Sequence, residues 1–181
     1  MDFFYKLLIK SYQAGLFMAA PFHEKASKML EGRRHIFKQL EIDFSVPKTH
    51  VAWFHCASLG EFEQGRPLLE AFRAKYPMYT IVLTFFSPSG YEIRKNYAHA
   101  DYVYYLPFDS PSHAKTWFEL LKPAVIFFVK YEFWHYYLAE AKKRTILTLS
   151  FSAIFRKEQL FFSATFRWFF PDGVKENFFL L

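Results

Sequence analysis

Apolar runs and helical periodicities alternate along most of the chain. Five runs with the composition of buried strands lie at 51–56, 79–85, 102–106, 124–129 and 145–149. Segments with helical spacing separate them, at 62–75, 91–97, 111–121 and 135–143. Strands and helices in this alternation form right-handed crossovers. The pattern therefore predicts an α/β domain, Rossmann-like, with a mainly parallel sheet and helices on both faces.

The segment before this domain has a broad apolar helical surface with lysines at its edge. Its apolar members are Phe3, Phe4, Leu7, Leu8, Leu16 and Phe17. The uncharged stretch 11–22 is shorter than the roughly 20 residues that span a bilayer. Because Arg33 and Arg34 follow, the pattern suits a helix on an anionic membrane surface, with these arginines and the apolar residues as contacts. A helix packed against the domain is the alternative.

Composition narrows the classes of partner. The chain has 181 residues, 52% of them hydrophobic, which is enough for the core of one domain. Its net charge of +6 favours an anionic partner: nucleic acid, phosphorylated lipid or an anionic membrane. Cys56 is the sole cysteine, so an internal disulfide is excluded. Its place at the end of a predicted core strand indicates a buried structural thiol rather than a nucleophile.

Small and polar residues follow the predicted strands, where ligands bind to parallel sheets. The candidate binding residues are Ser58, Gly60, Ser87, Ser89, Gly90, Lys130, Glu132 and Arg156. The Ser-Pro-Ser-Gly turn at 87–90 offers hydroxyls and amides to an anion, although such residues also serve as ordinary helix caps. Lys130 and Glu132 close an apolar strand, so at least one is expected to face the crevice; an ion pair between them is the competing interpretation.

Glu61 is the candidate catalytic base. Gly60 permits a sharp turn after the first strand, and the helical spacing then places Glu61 in the first turn of a helix. The positive end of the helix dipole favours the ionised carboxylate, which is able to accept a proton. The alternative is an ordinary acidic residue that stabilises the start of a helix.

Several kinds of chemistry lack their motifs. The sequence has no G-x-G-x-x-G after the first strand, no P-loop and no H-E-x-x-H. Nicotinamide, P-loop and zinc chemistry are therefore disfavoured, and neither a metal nor a cofactor is expected. No RNA-binding or helix-turn-helix signature accompanies the basic charge, so nucleic acid is not expected as a partner.

Five segments in a fixed order resemble one family. They are Ser-Leu-Gly-Glu at 58–61, Ser-Pro-Ser-Gly at 87–90, Leu-Pro-Phe-Asp at 106–109, Glu-Phe-Trp at 132–134, and the region from Ser152 to Arg156. The resemblance is to the 3-deoxy-D-manno-octulosonic acid (Kdo) transferases, which attach Kdo to the lipid A precursor. It covers residues 1–167, and the order of the segments is more specific than any one of them.

This resemblance implies an inverting glycosyltransferase of GT-B architecture, in which the N-terminal half holds the lipid acceptor and the C-terminal half most of the donor, CMP-Kdo. It assigns Glu61 as the base that takes the proton of the acceptor hydroxyl. Glu132 positions the acceptor or tunes the site, and Lys130 and Arg156 contact its phosphates or the Kdo carboxylate. The implied location is the cytoplasmic face of the inner membrane of a Gram-negative bacterium, with peripheral or monotopic attachment.

Two departures from the family pattern affect these expectations. Many members have Glu-Thr-Glu where this chain has Lys-Tyr-Glu at 130–132, which changes the charge of that loop. The resemblance fades after Arg167, so the expected organisation is a membrane-associating segment at 1–47, an acceptor-binding domain at 48–167 and a divergent tail at 168–181 without a donor-binding domain. A truncated fragment and a natural half-protein both fit. The functional alternatives are a non-catalytic half-domain that binds lipid A or membrane, and another lipid-directed GT-B transferase.

Overall fold

A computed structural model describes residues 2–130, 132, 134–151 and 178–180. Its centre is a parallel sheet with the order β3-β2-β1-β4-β5-β6. The strands are β1 (Val51–Cys56), β2 (Thr80–Phe85), β3 (Tyr102–Tyr105), β4 (Pro123–Val129), β5 (Leu147–Phe151) and β6 (Phe178–Leu180). The predicted Rossmann-like α/β fold is confirmed, and β6 is an edge strand that the sequence pattern did not predict.

Seven helices accompany the described strands. The N-terminal segment forms α1 (Asp2–Ala19), α2 (Glu24–Glu31) and α3 (Ile36–Asp43). The crossovers are α4 (Leu59–Lys75), α5 (Pro88–Arg94), α6 (Pro111–Leu121) and α7 (His135–Lys143). All four crossover helices were predicted.

Local hydrogen bonding and proline explain where the bounds differ from the predicted ones. Pro88 stands in the first turn of α5, where its fixed φ suits a helix start, so α5 begins before the predicted position 91. Strand β5 starts later than predicted because Thr145 has a φ of 55° and its N–H donates to the Lys142 carbonyl at 2.9 Å, which closes α7. Gly60 lies inside α4 rather than in a turn before it.

Both faces of the sheet are buried, and β1 contributes alternate residues to each. Val51 and Trp53 face a core that includes α3, α6 and α7, whereas Phe54 and Cys56 face a core that includes α4. The Phe54 ring stacks on Phe127 of β4, with centroids 4.3 Å apart. This period of two with burial on both sides is typical of a central parallel strand.

Helix α1 packs one face on the domain and exposes the other. Tyr5 donates its hydroxyl hydrogen to Asp109 Oδ2 at 2.5 Å, and the Tyr12 ring contacts Phe86 and Phe108. The opposite face is exposed and includes Phe3, Phe4, Leu7, Leu8 and Met18. The residues on the exposed face recur at helical spacing, so they form one apolar stripe. The alternative of a helix packed on the domain therefore holds for one face of α1, and membrane contact by the exposed face stays a prediction.

The prediction that Arg33 contacts a membrane is wrong. Arg33 is buried, and its guanidinium donates to the carbonyls of Met29, Leu106 and Phe86 at 2.9, 2.7 and 2.6 Å. Its guanidinium carbon also lies within 5 Å of three aromatic ring centroids, and burial lowers its pKa to about 10. Arg33 thus ties the segment after α2 to the carboxyl ends of β2 and β3. Arg34 is exposed, and Leu16 is partly buried.

The N-terminal helix is too short or too polar to cross a bilayer by itself, and the same holds for every other helix in the part of the chain that the structure describes.

Candidate functional site

The sheet order places a crevice between the carboxyl ends of β1 and β4. The chain moves from β1 outward through β2 and β3, and then returns to the other side of β1 with β4 and β5. Connections diverge at this point, and open α/β sheets bind ligands in the crevice that the divergence leaves. Glu61 follows β1 and Glu132 follows β4, so the two candidate carboxylates flank the crevice.

Glu61 lies in the first turn of α4, as predicted. It is partly buried, and the hydroxyl of Ser58, the residue before α4, donates a short hydrogen bond to Glu61 Oε2. The helix begins here because the Phe62 N–H bonds the Ser58 carbonyl at 3.0 Å and Phe62 is buried against Phe85. Glu61 thus lies at the amino end of a helix of 17 residues. The assignment of Glu61 as catalytic base stays a prediction.

Glu132 is held by an aromatic and a histidine instead of by Lys130. Its Oε2 accepts a hydrogen bond from Trp134 Nε1 at 3.0 Å and lies 3.4 Å from His55 Nε2. The side chain of Glu132 is 17% exposed. The alternative of an ion pair between Lys130 and Glu132 is therefore wrong.

Lys130 has a constrained backbone at the end of β4. Its φ is 63°, its N–H donates to the Phe151 carbonyl at 2.8 Å, and its own carbonyl accepts from Ser150 Oγ at 2.9 Å. A left-handed conformation is uncommon for a residue with a Cβ atom, and such strain concentrates at functional turns. The backbone bonds join the ends of β4 and β5, and a binding role for the Lys130 ammonium stays a prediction.

Cys56 is the last residue of β1 and is buried near the two candidate carboxylates, Glu61 and Glu132. The thiol is buried, and burial raises its pKa well above the ordinary range, with further increases from the charges of Glu61 and Glu132. A cysteine in such surroundings keeps its proton and is a poor nucleophile. The prediction that Cys56 is buried is thus confirmed. Glu61 follows β1 closely and Glu132 Oε2 lies 3.4 Å from His55 Nε2 of β1, so both carboxylates lie near the same end of this strand.

The turn at 87–90 joins the same edge of the sheet. The Ser87 N–H donates to the Ala57 carbonyl at 2.8 Å, and the Ser87 and Ser89 hydroxyls bond each other at 2.7 Å. Gly90 is buried, and a Cβ atom there would lie 2.1 Å from Phe85 Cδ1. This packing accounts for glycine at position 90, and a ligand contact by Gly90 stays a prediction. Ligand contacts by Ser87 and Ser89 stay predictions.

The remaining predicted positions divide as follows. Ser58 and Gly60 lie at the crevice with Glu61, and Gly60 is exposed. Arg156 lies outside the described residues. Within the described ranges, no group of three or more His, Cys, Asp and Glu side chains is arranged to hold a metal ion.

Sequence reasoning assigned no role to three residues that support the crevice, although Trp134 belongs to the Glu-Phe-Trp segment that resembles the family. His55 of β1 is buried, Thr84 of β2 hydrogen-bonds its ring, and Trp134 joins it to Glu132. A signal was present in β1, because His55 is the one ionisable side chain in an otherwise apolar strand apart from the thiol of Cys56. A charged or polar side chain in a central strand needs a partner, and the end of a neighbouring strand is the natural place for one.

Comparison with known protein families identifies the family to which the chain belongs. A family model described as 3-deoxy-D-manno-octulosonic-acid transferase (kdotransferase) matches residues 29–178. The match extends over most of the chain, including the helices α3 to α7 and the strands that carry the candidate site. The chain belongs to this family of glycosyltransferases.

Curated relatives carry the same family name. The chain is similar to the 3-deoxy-D-manno-octulosonic acid transferase of Aquifex aeolicus, with 37% identity over 83 residues, which are 45% of this chain and 23% of that protein. The enzyme of the same name from Chlamydophila psittaci is 33% identical over 127 residues, 67% of this chain and 28% of the relative. That of Haemophilus influenzae is 29% identical over 91 residues, 50% of this chain and 21% of the relative. The chain spans about a quarter of the length of these relatives.

Proposed function

We propose that the chain provides the acceptor-binding half and the general base for transfer of Kdo from CMP-Kdo to a lipid A precursor, a step of lipopolysaccharide synthesis. The observation that carries the proposal is the position of Glu61, a partly buried carboxylate at the start of α4, beside the crevice that Glu132 also flanks. Membership of the Kdo transferase family supports the class of reaction.

The proposed reaction is a single displacement. The hydroxyl oxygen of the acceptor sugar attacks the anomeric carbon of Kdo while the bond from that carbon to the phosphate oxygen of CMP breaks. Glu61 takes the hydroxyl proton, and CMP leaves with the bonding electrons, so the configuration at the anomeric carbon is inverted. Positioning the hydroxyl beside an ionised carboxylate lowers the barrier by general base catalysis and by orientation.

Glu132 and the cationic residues have supporting roles in this proposal. The Glu132 carboxylate accepts hydrogen bonds from acceptor hydroxyls. Lys130 and Arg156 contact the phosphates of the acceptor or the carboxylate of Kdo. Cations at these places stabilise the negative charge that develops as the phosphate departs.

The exposed face of α1 supports association with an anionic membrane surface. Phe3, Phe4 and Leu8 are 70%, 72% and 66% exposed, and Lys6 and Lys10 lie in the same helix. Apolar stripes flanked by lysines bind the boundary between headgroups and acyl chains. The packed face of α1 contacts Phe86 and Phe108, which follow β2 and β3. A membrane bound by α1 would thus lie near the edge of the sheet that holds the candidate site.

The decisive experiment tests whether the chain supports transfer of Kdo when a donor-binding half is added. The chain is incubated with CMP-Kdo and tetra-acylated lipid A precursor, alone and mixed with a separately produced C-terminal half of the Aquifex aeolicus relative. Product in the mixture, reduced at least about 100-fold by Glu61→Gln, supports the proposal. Glu63→Gln, two residues along α4, is the matched control and should retain the activity. The two halves of the Aquifex relative, mixed in the same way, are the positive control.

Other outcomes identify the alternatives. Binding of the precursor without product, while the Aquifex halves are active together, favours a non-catalytic lipid-binding half-domain. Product from a different sugar nucleotide, with none from CMP-Kdo, identifies another lipid-directed transferase of the GT-B type.

A further inference from the structure

His55 is a buried imidazole whose ring orientation is determined by its partners. The single hydrogen of the Thr84 hydroxyl has two acceptors within reach, the Phe54 carbonyl at 3.3 Å and His55 Nδ1 at 2.8 Å. The hydroxyl oxygen also accepts from Trp53 Nε1 at 2.8 Å. The 2.8 Å contact joins Thr84 to His55 Nδ1 in either tautomer, because Nδ1–H donates to the hydroxyl oxygen or the hydroxyl donates to an unprotonated Nδ1. The other ring nitrogen, Nε2, is left to face the crevice.

At the crevice, Nε2 meets two groups from the segment after β4. Trp134 Nε1 lies 3.1 Å from Nε2, and Glu132 Oε2 lies 3.4 Å from it. Trp134 Nε1 is also 3.0 Å from Glu132 Oε2, so the three polar atoms form a triangle. The imidazole accepts the indole hydrogen when Nε2 is unprotonated and donates to the carboxylate when it is protonated. In the first state His55 and Glu132 share the one indole hydrogen of Trp134, and in the second state His55 donates directly to the carboxylate. Both arrangements place a buried strand residue against a carboxylate on a connecting segment.

Packing keeps this arrangement rigid on the strand side. His55 is 0% exposed, and its ring contacts Phe128 and Trp134 edge-on, while Trp134 packs on Phe86 with centroids 4.7 Å apart. Thr84 is equally buried on the neighbouring strand. Glu132, in contrast, has no regular secondary structure of its own to hold its side chain. A carboxylate on such a segment needs a fixed partner to keep one orientation.

We propose that His55 is a positioning residue for Glu132: anchored through Nδ1 to Thr84, it uses Nε2, together with the Trp134 indole, to aim the Glu132 carboxylate at the crevice beside Glu61. The positioning of Glu132 is independent of the reaction, whereas its consequence for acceptor binding rests on the proposed function.

The first test needs no substrate. The indole Nε1–H of Trp134 is identified in a ¹H–¹⁵N NMR spectrum of the chain by its loss in Trp134→Phe. Glu132→Gln should shift this resonance in the wild-type background and have little further effect in a His55→Asn background, since the carboxylate is no longer held there. His113→Asn is the matched control, because His113 bonds the Phe108 carbonyl and contacts Phe37. Equal effects of Glu132→Gln in both backgrounds would overturn the proposal.

The second test measures the affinity for tetra-acylated lipid A precursor in a double-mutant cycle. We expect His55→Asn and Glu132→Gln each to weaken binding about tenfold, and the double variant to bind as weakly as either one, because the two changes remove one interaction. A merely structural histidine would instead give multiplied losses, which would contradict positioning. His55→Gln, whose amide reaches towards the place of Nε2, should recover most of the affinity.

Two safeguards separate the possible failures. Thermal unfolding is recorded for each variant, and if His55→Asn does not fold, Thr84→Val takes its place in both cycles. If the NMR cycle shows coupling but the wild-type chain does not bind the precursor, the proposed function fails and the positioning role stands. If the precursor binds but neither cycle shows coupling, the positioning role fails and the proposed function stands.

Discussion

The hydroxyl of Ser58 donates its hydrogen to the carboxylate of Glu61, three residues further along the chain. A serine before a helix usually accepts a hydrogen bond from a backbone N–H of the first turn, as Ser110 does from His113 at the start of α6. Ser58 makes no such bond to the backbone of α4. Its hydroxyl is therefore used to hold the candidate base instead of capping the helix.

This contrast predicts opposite effects for two serine-to-alanine changes. Ser110→Ala should cost about 1 kcal/mol of unfolding free energy, because it removes a helix cap, and should not alter transfer activity. Ser58→Ala should cost less stability and lower the rate of transfer about tenfold, because a carboxylate that has lost a positioning hydrogen bond spends less time in the reactive geometry. Urea unfolding and the mixed-half transfer assay measure the two quantities. Equal effects of both changes on the rate would contradict the special use of Ser58.

Tyr5 and Asp109 join α1 to the domain, and this bond should be sensitive to pH. Asp109 is 2% exposed, and burial raises its pKa despite the opposing hydrogen bond from Tyr5. Tyr5→Phe removes a donor from a buried carboxylate and should cost about 1–3 kcal/mol when Asp109 is ionised. The pKa of Asp109 rises further in the variant, so the loss should be small in acid and grow as the pH increases through that pKa.

The control for this prediction is Tyr12→Phe. Tyr12 lies on the same face of α1 and contributes its ring to Phe86 and Phe108, a contact that phenylalanine keeps. Thermal unfolding at several pH values compares the two variants. A deficit of Tyr5→Phe that shrinks with rising pH would rule out the carboxylate as its cause.

The sheet and the place of Glu61 were predictable because they depend on local patterns. The run Val-Ala-Trp-Phe-His-Cys at 51–56 is apolar on both faces, and a helical period follows it directly. These features determine that β1 is central and that Glu61 begins a crossover helix. Position in the first turn then follows from counting residues and requires no knowledge of distant contacts.

Arg33 and His55 were not predictable in the same way. Arg33 stands in a polar stretch beside Arg34, and its burial depends on Phe86, Tyr105 and Phe108, which are 53 or more residues away. The pairing of His55 with Glu132 depends on the adjacency of β1 and β4, which the order of elements along the chain does not reveal. Such residues acquire their roles from tertiary contacts that override local preference.

Replacement of glycine by alanine should have opposite effects on stability at positions 90 and 15. Gly90→Ala places a Cβ atom 2.1 Å from the ring of Phe85, which is fully buried, so the ring or the start of α5 has to move. We expect a loss of about 1–3 kcal/mol in unfolding free energy, measured in urea. Gly15→Ala meets nothing within 4 Å on α1 and should stabilise the chain by up to about 1 kcal/mol, because alanine favours helix more than glycine does. A neutral Gly90→Ala would contradict the packing reason for glycine at that position.

The apolar stripe of α1 predicts where the chain meets a membrane. Leu8 is 66% exposed on this stripe, and Met78, which is 82% exposed, lies before β2 at the opposite edge of the sheet. Leu8→Glu should weaken binding to vesicles that contain an anionic phospholipid about tenfold, because it replaces a membrane-buried leucine by a charge. Met78→Glu adds the same charge to the chain and should change binding only through the net charge. Vesicle co-sedimentation at two salt concentrations separates the contributions, since salt screens the charge effect of both variants but leaves the apolar loss in Leu8→Glu. Equal weakening by both changes at high salt would show that α1 is not the surface in contact.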